Sequence, residues 1–490
     1  MQAAAALAEI WEAAGLPSDA LRHATVSGAA PVLPSHFAVA TAAQCAVAAA
    51  GLAAATLHEA RGGAAQSVTV DRRHACAEFR SERLLRVDGT TRAAWDAIAG
   101  LYPAADGWLR LHTNFPHHRD GILRLLACAH ERAAVAAALR TRQAIAFETE
   151  ATEAGLCVAA LRDFATWDAH PQGQAVPTRP LLAIERVGDA PARLPAVASR
   201  PLAGIRVLDL TRVIAGPVCA RTLASHGAEV LRITAPHLPA LDRLDIDTGR
   251  GKRAAQLDLR RPADRRRLAD LVRGADVFVQ GYRPGALAAL GFGPEALARL
   301  RPGIVVASLS AYGAAGPWSG KRGFDSLVQT ATGFNAAEAE AAGDAVPRPL
   351  PAQALDFATG HLLAAGTIAA LIRRGTAGGS WHVQASLART GAWLRGLGPV
   401  ADGFSPADPA DDDFAEFLEE TATPFGTVRA VRPPAILSAT PARFATPPVP
   451  RDAHPPAWTA AADPREARLA RALRDNLARR KQQARARREP

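Results

Sequence analysis

Cysteine is scarce in this 490-residue chain, and its arrangement argues against two kinds of site. The five cysteines are scattered, odd in number, and include no C-x-x-C pair. Such usage is typical of free thiols in a reducing compartment and not of a disulfide framework or a zinc site. We therefore expect a cytoplasmic protein without a bound metal.

Long apolar runs are also missing. No stretch of 18 or more apolar residues escapes interruption by a charge or a helix breaker, so no membrane span is expected. The opening MQAAAALAEIWEAAGL has no basic residue, and Glu9 and Glu12 interrupt its apolar positions. This pattern predicts an amphipathic helix and not a signal peptide.

Lysine is nearly absent, because Lys252, Lys321 and Lys481 are the only lysines among 57 basic residues. We interpret the arginine excess as a GC-rich bacterial coding bias. The net charge is +10, but residues 464–490 alone contain ten Arg or Lys against three Asp or Glu. This basic tail has no interleaved aromatic residues, so nucleic-acid binding is not expected.

Nucleotide-binding and metal-binding motifs are missing as well. No G-x-G-x-x-G follows the first strand-like run, Thr234 stands where an acidic ribose ligand would be needed, and no P-loop occurs. HTNFPHH supplies His112, His117 and His118 without an i,i+4 pair or nearby carboxylates, which favours surface or loop histidines.

Strand-like and helical segments alternate through the second half of the chain. Short apolar runs lie at 205–210 and 228–233, and two more lie at 275–281 and 303–310. A helix-length spacer separates the two runs of each pair. This alternation predicts right-handed βαβ units in a parallel sheet, with ligands bound beyond the carboxyl ends of the strands. Composition predicts a linker at 171–198, an acidic and then proline-rich segment at 401–460, and a basic tail at 461–490.

An internal repeat relates residues 50–79 to residues 365–394 at an offset of 315. Both copies predict a helix, a glycine-containing turn, a strand and a helix. The same offset places Thr41 opposite Asp356, so the earlier copy lacks the carboxylate and one functional site per chain is implied. Asp356 itself, at the start of an alanine-rich helix, is either a helix cap or a nucleophile.

Basic residues surround a predicted glycine turn at 247–261, which is either a phosphate site or a solvated turn. Five blocks of sequence, taken in order along the chain, resemble the family III CoA transferases, the CaiB/BaiF group. They are PLAGIRVLDLTRVIAGPVCARTLASHGAEV, GRGKRAAQLDL, ADVFVQGYRPGALAALGFGPEAL, SLSAYGAAGPW and LDFATG. The resemblance runs from Pro201 to about Leu394. Residues 1–170 resemble the family's smaller domain, placed ahead of a CoA-binding domain at 199–400 as if half-modules were permuted or fused.

The resemblance implies a fold, an activity and a site. The fold is α/β, with a Rossmann-like parallel sheet, helices on both faces and a smaller α+β domain. The activity is CoA transfer between an acyl-CoA and a carboxylic acid through an aspartyl anhydride and thioester, with CoA as a substrate, no tightly bound cofactor and a homodimeric enzyme. The nucleophile would be Asp356, and the CoA contacts would be Ile214, Ala215, Lys252, Arg253, Leu257, Asp258, Leu259, Arg260, Gly281, Tyr282, Arg283, Arg322, Gly323, Phe324 and Asp325.

Two departures from the family pattern leave alternatives open. Phe324 stands where the family's racemases have a proton-transferring histidine, which disfavours racemase or isomerase activity. The glycine-rich loop that covers the intermediate in several transferases is not found. A non-catalytic relative that binds CoA or a partner subunit is therefore the second hypothesis.

Overall fold

The computed structural model describes residues 3–29, 31–91 and 95–459. The chain divides into two units, residues 1–456 and residues 457–490, and the fold described below is that of the first. The predicted basic tail at 461–490 lies outside the described residues.

Helices account for most of the regular structure in the described ranges. They are α1 (Ala3–Ala14), α2 (Val39–Ala60), α3 (Arg72–Glu78), α4 (Ser81–Leu84), α5 (Pro116–Leu126), α6 (Arg132–Leu139), α7 (Ala144–Glu153), α8 (Phe164–Ala169), α9 (Pro171–Ala175), α10 (Ala215–Ser225), α11 (Asp242–Thr248), α12 (Pro262–Arg273), α13 (Pro294–Leu300), α14 (Asp325–Ala331), α15 (Phe334–Ala342), α16 (Ala354–Ala377) and α17 (Leu387–Gly396).

The strands in these same ranges are shorter and form four sheets. They are β1 (Ala24–Ser27), β2 (Val68–Asp71), β3 (Arg86–Val87), β4 (Gly100–Pro103), β5 (Trp108–Leu111), β6 (Val158–Ala160), β7 (Ala183–Gly188), β8 (Arg206–Leu210), β9 (Glu229–Thr234), β10 (Lys252–Gln256), β11 (Val277–Gln280), β12 (Val305–Ser310), β13 (Ser380–Ser386), β14 (Leu418–Thr423), β15 (Gly426–Val431) and β16 (Ile436–Leu437).

The largest sheet has seven strands in the order β10-β9-β8-β11-β12-β13-β7. All neighbouring pairs are parallel except β13 with β7, which are antiparallel. Helices flank the sheet, and the four predicted strand segments became β8, β9, β11 and β12. The predicted α/β class with a mostly parallel sheet is confirmed.

The segment predicted as a linker is partly regular structure. Residues 171–198 contain α9 and β7, and β7 closes one edge of the large sheet. Its buried residues, including Ala183, face the core although prolines surround them in sequence. The linker prediction is wrong for this strand, whereas the division of the chain into modules stays a prediction.

A smaller α+β region lies in the first half of the chain. The antiparallel sheet β4-β5-β6 packs with α5, α6 and α7 around a separate apolar core that includes Tyr102, Phe147 and Val158. This core gives β5 a rigid base, and the residues that follow β5 in sequence reach the site described below.

The internal repeat has a structural counterpart. The earlier copy forms α2, β2 and α3, the later copy forms α16, β13 and α17, and α2 packs against α16. Thr41 and Asp356 both occupy the third position of their helix. The predicted order of elements in the two copies is therefore confirmed.

Both long helices are apolar enough and long enough to cross a membrane by length and composition alone. In α2 and α16 the most apolar window is 83% and 94% buried, respectively, and core helices of globular proteins pass the same test. These two helices are therefore weak evidence for a membrane span.

Candidate active site

Asp356 lies at the start of α16, but it does not cap that helix. Its backbone N–H donates to Oδ2 of Asp325 over 2.9 Å, so the cap comes from another helix. Gln353, at the N-cap position, makes no capping bond with its side chain. Within the described residues no group donates to the Asp356 carboxylate, although the residue is only 6% exposed. The cap interpretation of Asp356 is therefore wrong.

Asp325 fixes the backbone of Asp356 and also affects the pKa of its carboxyl group. It is the first residue of α14, it is buried, and Gln329 donates to its Oδ1. Burial raises the pKa of Asp325 to about 6, against the lowering effect of the backbone N–H of Asp356 and of Gln329. The pKa of Asp356 is raised well above its usual range, mostly by burial and to a smaller extent by the nearby carboxyl groups of Asp325 and Glu82.

A cavity of about 380 Å³ opens at the carboxyl ends of β8, β11 and β12, with Asp356 on its wall. Leu210, Gly281 and Ser310 line it where these strands end. Its position matches the rule that open parallel sheets bind ligands beyond the carboxyl ends of their strands. It is the cavity in which the sequence analysis places CoA.

Eight of the predicted CoA contacts line this cavity, namely Ile214, Ala215, Gly281, Tyr282, Arg283, Arg322, Gly323 and Phe324. The structure brings these segments together from three different strand ends. Arg212, which the sequence analysis did not single out, joins them, with its guanidinium 4.6 Å from the centre of the Phe115 ring. The cavity therefore has several cations that could face the phosphates of a nucleotide.

Lys252 does not reach the cavity, and its predicted role is corrected. Its Nζ is buried, donating to Oδ2 of Asp209 over 2.7 Å and to the carbonyl of Pro217 over 2.8 Å. An ammonium held in this way inside the sheet is not available to a phosphate. Arg253 lies beside Glu229, with 3.6 Å between Nη1 and Oε1.

The segment 257–260, also predicted to bind CoA, follows the edge strand β10 and lines neither cavity described here. Leu257 is buried, and Leu259 accepts a hydrogen bond at its carbonyl from Arg265. Arg260 pairs with Asp258 over 2.7 Å and its side chain is 66% exposed. Asp325, predicted on the CoA path, instead caps α16 and lines the second cavity.

The second cavity, of about 260 Å³, adjoins the first at Asp356. Both are lined by Asp356, Phe324, Val213 and Ile214. The remaining walls of the smaller cavity are Glu82, Trp95, His112, Asn114, Ala240, Leu241, Asp242, Arg243, Leu244, Asp325 and Gln353. Asp356 thus lies where the two cavities meet, and most of the other residues that line them differ.

Val213, between β8 and α10, has a φ of 75°, which is unusual for a β-branched residue. Together with Ile214 it forms the turn that carries the chain from the strand end to the start of α10. Strained backbone at a position lining both cavities is typical of sites where the surrounding fold fixes a functional geometry.

Of the three histidines of HTNFPHH, His117 is exposed, in keeping with the sequence interpretation, whereas His112 lies in the loop after β5 but is buried, as is His118. His112 is buried, lines the smaller cavity, and stacks on Phe324 with ring centroids 3.8 Å apart. Burial, with a further contribution from Arg110, lowers the pKa of His112 to about 3, so its ring is neutral. His117 and His118 line the larger cavity, and Nε2 of His118 lies 3.1 Å from Nη1 of Arg322.

Glu82 was not found by sequence reasoning. It comes from α4, is buried, and lines the smaller cavity. Burial raises its pKa to about 7. Its neighbours RSERLL carry no pattern associated with catalysis, so only tertiary structure brings this residue to the site.

The described residues contain no cluster of His, Cys, Asp and Glu suited to a metal ion.

Comparison with known proteins gives one family match. Residues 202–411 match CoA-transferase family III. The acetyl-coenzyme A transferase nodX of Hypoxylon pulicicidum is 36% identical over 204 residues, covering 41% of this chain and 34% of that protein. A probable fatty acyl-CoA transferase of Mycobacterium tuberculosis is 33% identical over 202 residues, covering 39% of this chain and 51% of its own length.

The crystal structure of the same mycobacterial protein has a TM-score of 0.38 at 33% sequence identity, over 40% of this chain and 56% of that chain. The succinyl-CoA:glutarate CoA-transferase of Mus musculus is 31% identical over 200 residues, which cover 38% of this chain and 45% of that protein. The chain thus spans between about a third and about half of the length of these curated relatives.

Proposed function

We propose that this chain, whose residues 202–411 belong to CoA-transferase family III, moves CoA from an acyl-CoA to a carboxylic acid with Asp356 as the nucleophile. One observation carries the proposal: the buried Asp356 carboxylate accepts no hydrogen bond within the described residues and stands where the two cavities meet. A desolvated carboxylate placed beside a thioester carbonyl is a competent nucleophile.

The chemistry needs only this carboxylate and the sulfur of the substrate. An oxygen of Asp356 attacks the thioester carbonyl, CoA leaves as the thiolate, and an acyl-aspartyl anhydride remains. The thiolate then attacks the aspartyl carbonyl, which releases the first carboxylate and leaves an aspartyl-CoA thioester. The acceptor carboxylate attacks that thioester to give a second anhydride, and the returning thiolate takes the new acyl group and frees Asp356.

The larger cavity is the proposed CoA site. Arg212, Arg283 and Arg322 line it and can pair with phosphate oxygens, for which guanidinium groups have a matching geometry. The start of α10, at Ala215, lines the same cavity, and backbone N–H groups at a helix start favour an anion. The smaller cavity would then hold the acyl group and afterwards the acceptor acid.

Further proposals concern the protein around the site. The family resemblance supports a homodimer, and free thiols support a cytoplasmic location. The arginine-rich coding pattern supports a bacterial source. CoA enters the proposal as a substrate and not as a tightly bound cofactor.

Intact-mass analysis tests the function. The protein is mixed with a panel of acyl-CoAs and quenched with hydroxylamine, which converts an activated carboxyl group into a hydroxamate. We expect the added mass on the peptide that contains Asp356, and we expect it to be lost in Asp356→Asn. Asp242→Asn, which changes another carboxylate on the smaller cavity, serves as the matched control.

Absence of labelling with every donor, in a protein that still binds CoA, would contradict the transferase proposal. That result would support the second hypothesis, a relative that binds CoA without turnover.

A further inference from the structure

The smaller cavity has one acidic wall and one apolar wall. Glu82, Asp242, Asp325 and Asp356 bring four carboxyl groups to it, and apolar surface comes from Val213, Ile214, Leu241, Leu244, Trp95 and Phe324. The cation on its wall is Arg243, and Nη2 of its guanidinium donates to the carbonyl of Arg83 over 2.8 Å. Among the described residues of this wall, four carboxyl groups thus face one guanidinium, that of Arg243.

Two side chains on the cavity wall have polar atoms without a partner in the described residues. Glu82 is 6% exposed, and its Oε2 accepts no hydrogen bond. Its other oxygen, Oε1, lies 3.6 Å from Nε of Arg83. His112 is 3% exposed, and its Nδ1 is likewise without a partner. Buried polar groups are rarely left unpaired, and those that are call for an explanation such as a ligand.

We propose that the smaller cavity selects acyl groups that carry a hydroxyl and excludes acyl groups that carry a second carboxylate, with Glu82 accepting the hydroxyl's hydrogen bond. This inference rests on the proposed function, because it assigns the acyl group of the transferred thioester to this cavity. A hydroxyl is both a donor and an acceptor, so it suits a wall with an unpaired carboxyl oxygen and an unpaired neutral imidazole.

Exclusion of a second carboxylate follows from charge. A dicarboxylic acyl group in this cavity would bring its free carboxylate close to Glu82 and Asp325, and like charges in a water-poor site repel strongly. Burial raises the pKa of both residues, which shows that this part of the protein already disfavours negative charge. An uncharged chain with a single hydroxyl avoids that repulsion and fills the apolar wall.

Thioesters of equal chain length test the selectivity. Butyryl-CoA, 3-hydroxybutyryl-CoA, 4-hydroxybutyryl-CoA and succinyl-CoA are titrated calorimetrically into the unreactive Asp356→Asn protein at a pH above about 8, where most of Glu82 is ionised. We expect at least one hydroxybutyryl-CoA to bind about tenfold more tightly than butyryl-CoA, as for a hydrogen bond to a charged group. We expect succinyl-CoA to bind at least about tenfold more weakly than butyryl-CoA.

Glu82→Gln, added to the same background, removes the charge and keeps the shape. We expect both differences in affinity to shrink, whereas Glu340→Gln, an exposed glutamate on α15, should leave them unchanged. Succinyl-CoA binding as tightly as butyryl-CoA, or a hydroxyl preference as large after Glu82→Gln as before it, would overturn the proposal.

The wild-type protein separates this inference from the proposed function. If the thioesters bind in the expected order but hydroxylamine forms no hydroxamate at Asp356, the transferase proposal is wrong and the selectivity of the cavity stands. If trapping occurs and the order of affinities is absent, the selectivity is wrong and the transferase chemistry stands.

Discussion

Replacing Asp356 by asparagine should stabilise the protein while it abolishes hydroxamate formation at this position. The carboxylate is buried at the start of α16 and accepts no hydrogen bond within the described residues, so an isosteric amide loses no acceptor contact there. The amide also removes a charge that burial and Asp325 disfavour. Active-site groups often carry such a stability cost, because function requires them.

The size and pH dependence follow from the perturbed carboxyls. A carboxyl whose folded pKa is raised binds more protons folded than unfolded, so stability falls as pH rises from the unfolded towards the folded pKa. For Asp325, a shift from 3.8 to about 6 corresponds to about 3 kcal/mol lost between about pH 4 and 6. Removing the unpaired Asp356 carboxylate should therefore raise the free energy of unfolding by about 1–3 kcal/mol at about pH 8, with a smaller gain at about pH 5.

Urea denaturation of both proteins at the two pH values measures this effect. Asp71→Ala is the control, because Asp71 is a true cap that accepts from the backbone N–H of His74 over 3.0 Å. Its loss should destabilise the protein by about 1 kcal/mol. If Asp356→Asn were less stable than the wild type at about pH 8, the carboxylate would be supporting the helix, and the argument for an unpaired nucleophile would be refuted.

Three further predictions concern the site and its support. The rate of hydroxamate formation at Asp356 should rise with pH, because the raised pKa of Asp356 leaves it protonated in acid. Asp325→Asn should move that rise to lower pH in a time course of the same reaction. Arg283→Gln should weaken CoA binding by about three- to tenfold in a salt-dependent manner. Lys252→Met should leave CoA affinity nearly unchanged, but it should lower the free energy of unfolding by about 3–5 kcal/mol in urea denaturation. Gly360→Ala should cost about 1–3 kcal/mol by the same assay, because an added Cβ would lie 2.6 Å from the carbonyl oxygen of Ala215 on the neighbouring helix.

The large sheet was predictable where strands are apolar and β-branched, as in β8 and β11. By contrast, β10 reads KRAAQ, which resembles a solvated turn in sequence. It forms a strand because Lys252 finds Asp209 on another strand, a contact between residues 43 positions apart. Local propensity cannot reveal such a pairing, since tertiary partners decide it.

The site divides in the same way. Asp356 and the segments around Ile214, Gly281 and Arg322 were predicted from the family resemblance, because each sits in or near a short block of sequence that carries it. Glu82 and His112 were missed, because they come from the first half of the chain and reach the cavity only through the packing of elements distant in sequence. The absence of nearby carboxylates in sequence made His112 seem a surface or loop residue; it does lie in a loop, but it is buried on the cavity wall.

The origin of both cavity walls in one chain has a consequence for how the site assembles. Glu82 and His112 on one side and Asp356 on the other belong to a single polypeptide. The walls described here therefore come together in a first-order step, at a rate and with an equilibrium that do not depend on protein concentration. Dilution cannot separate them, and a substitution in either wall is present in every copy of the site.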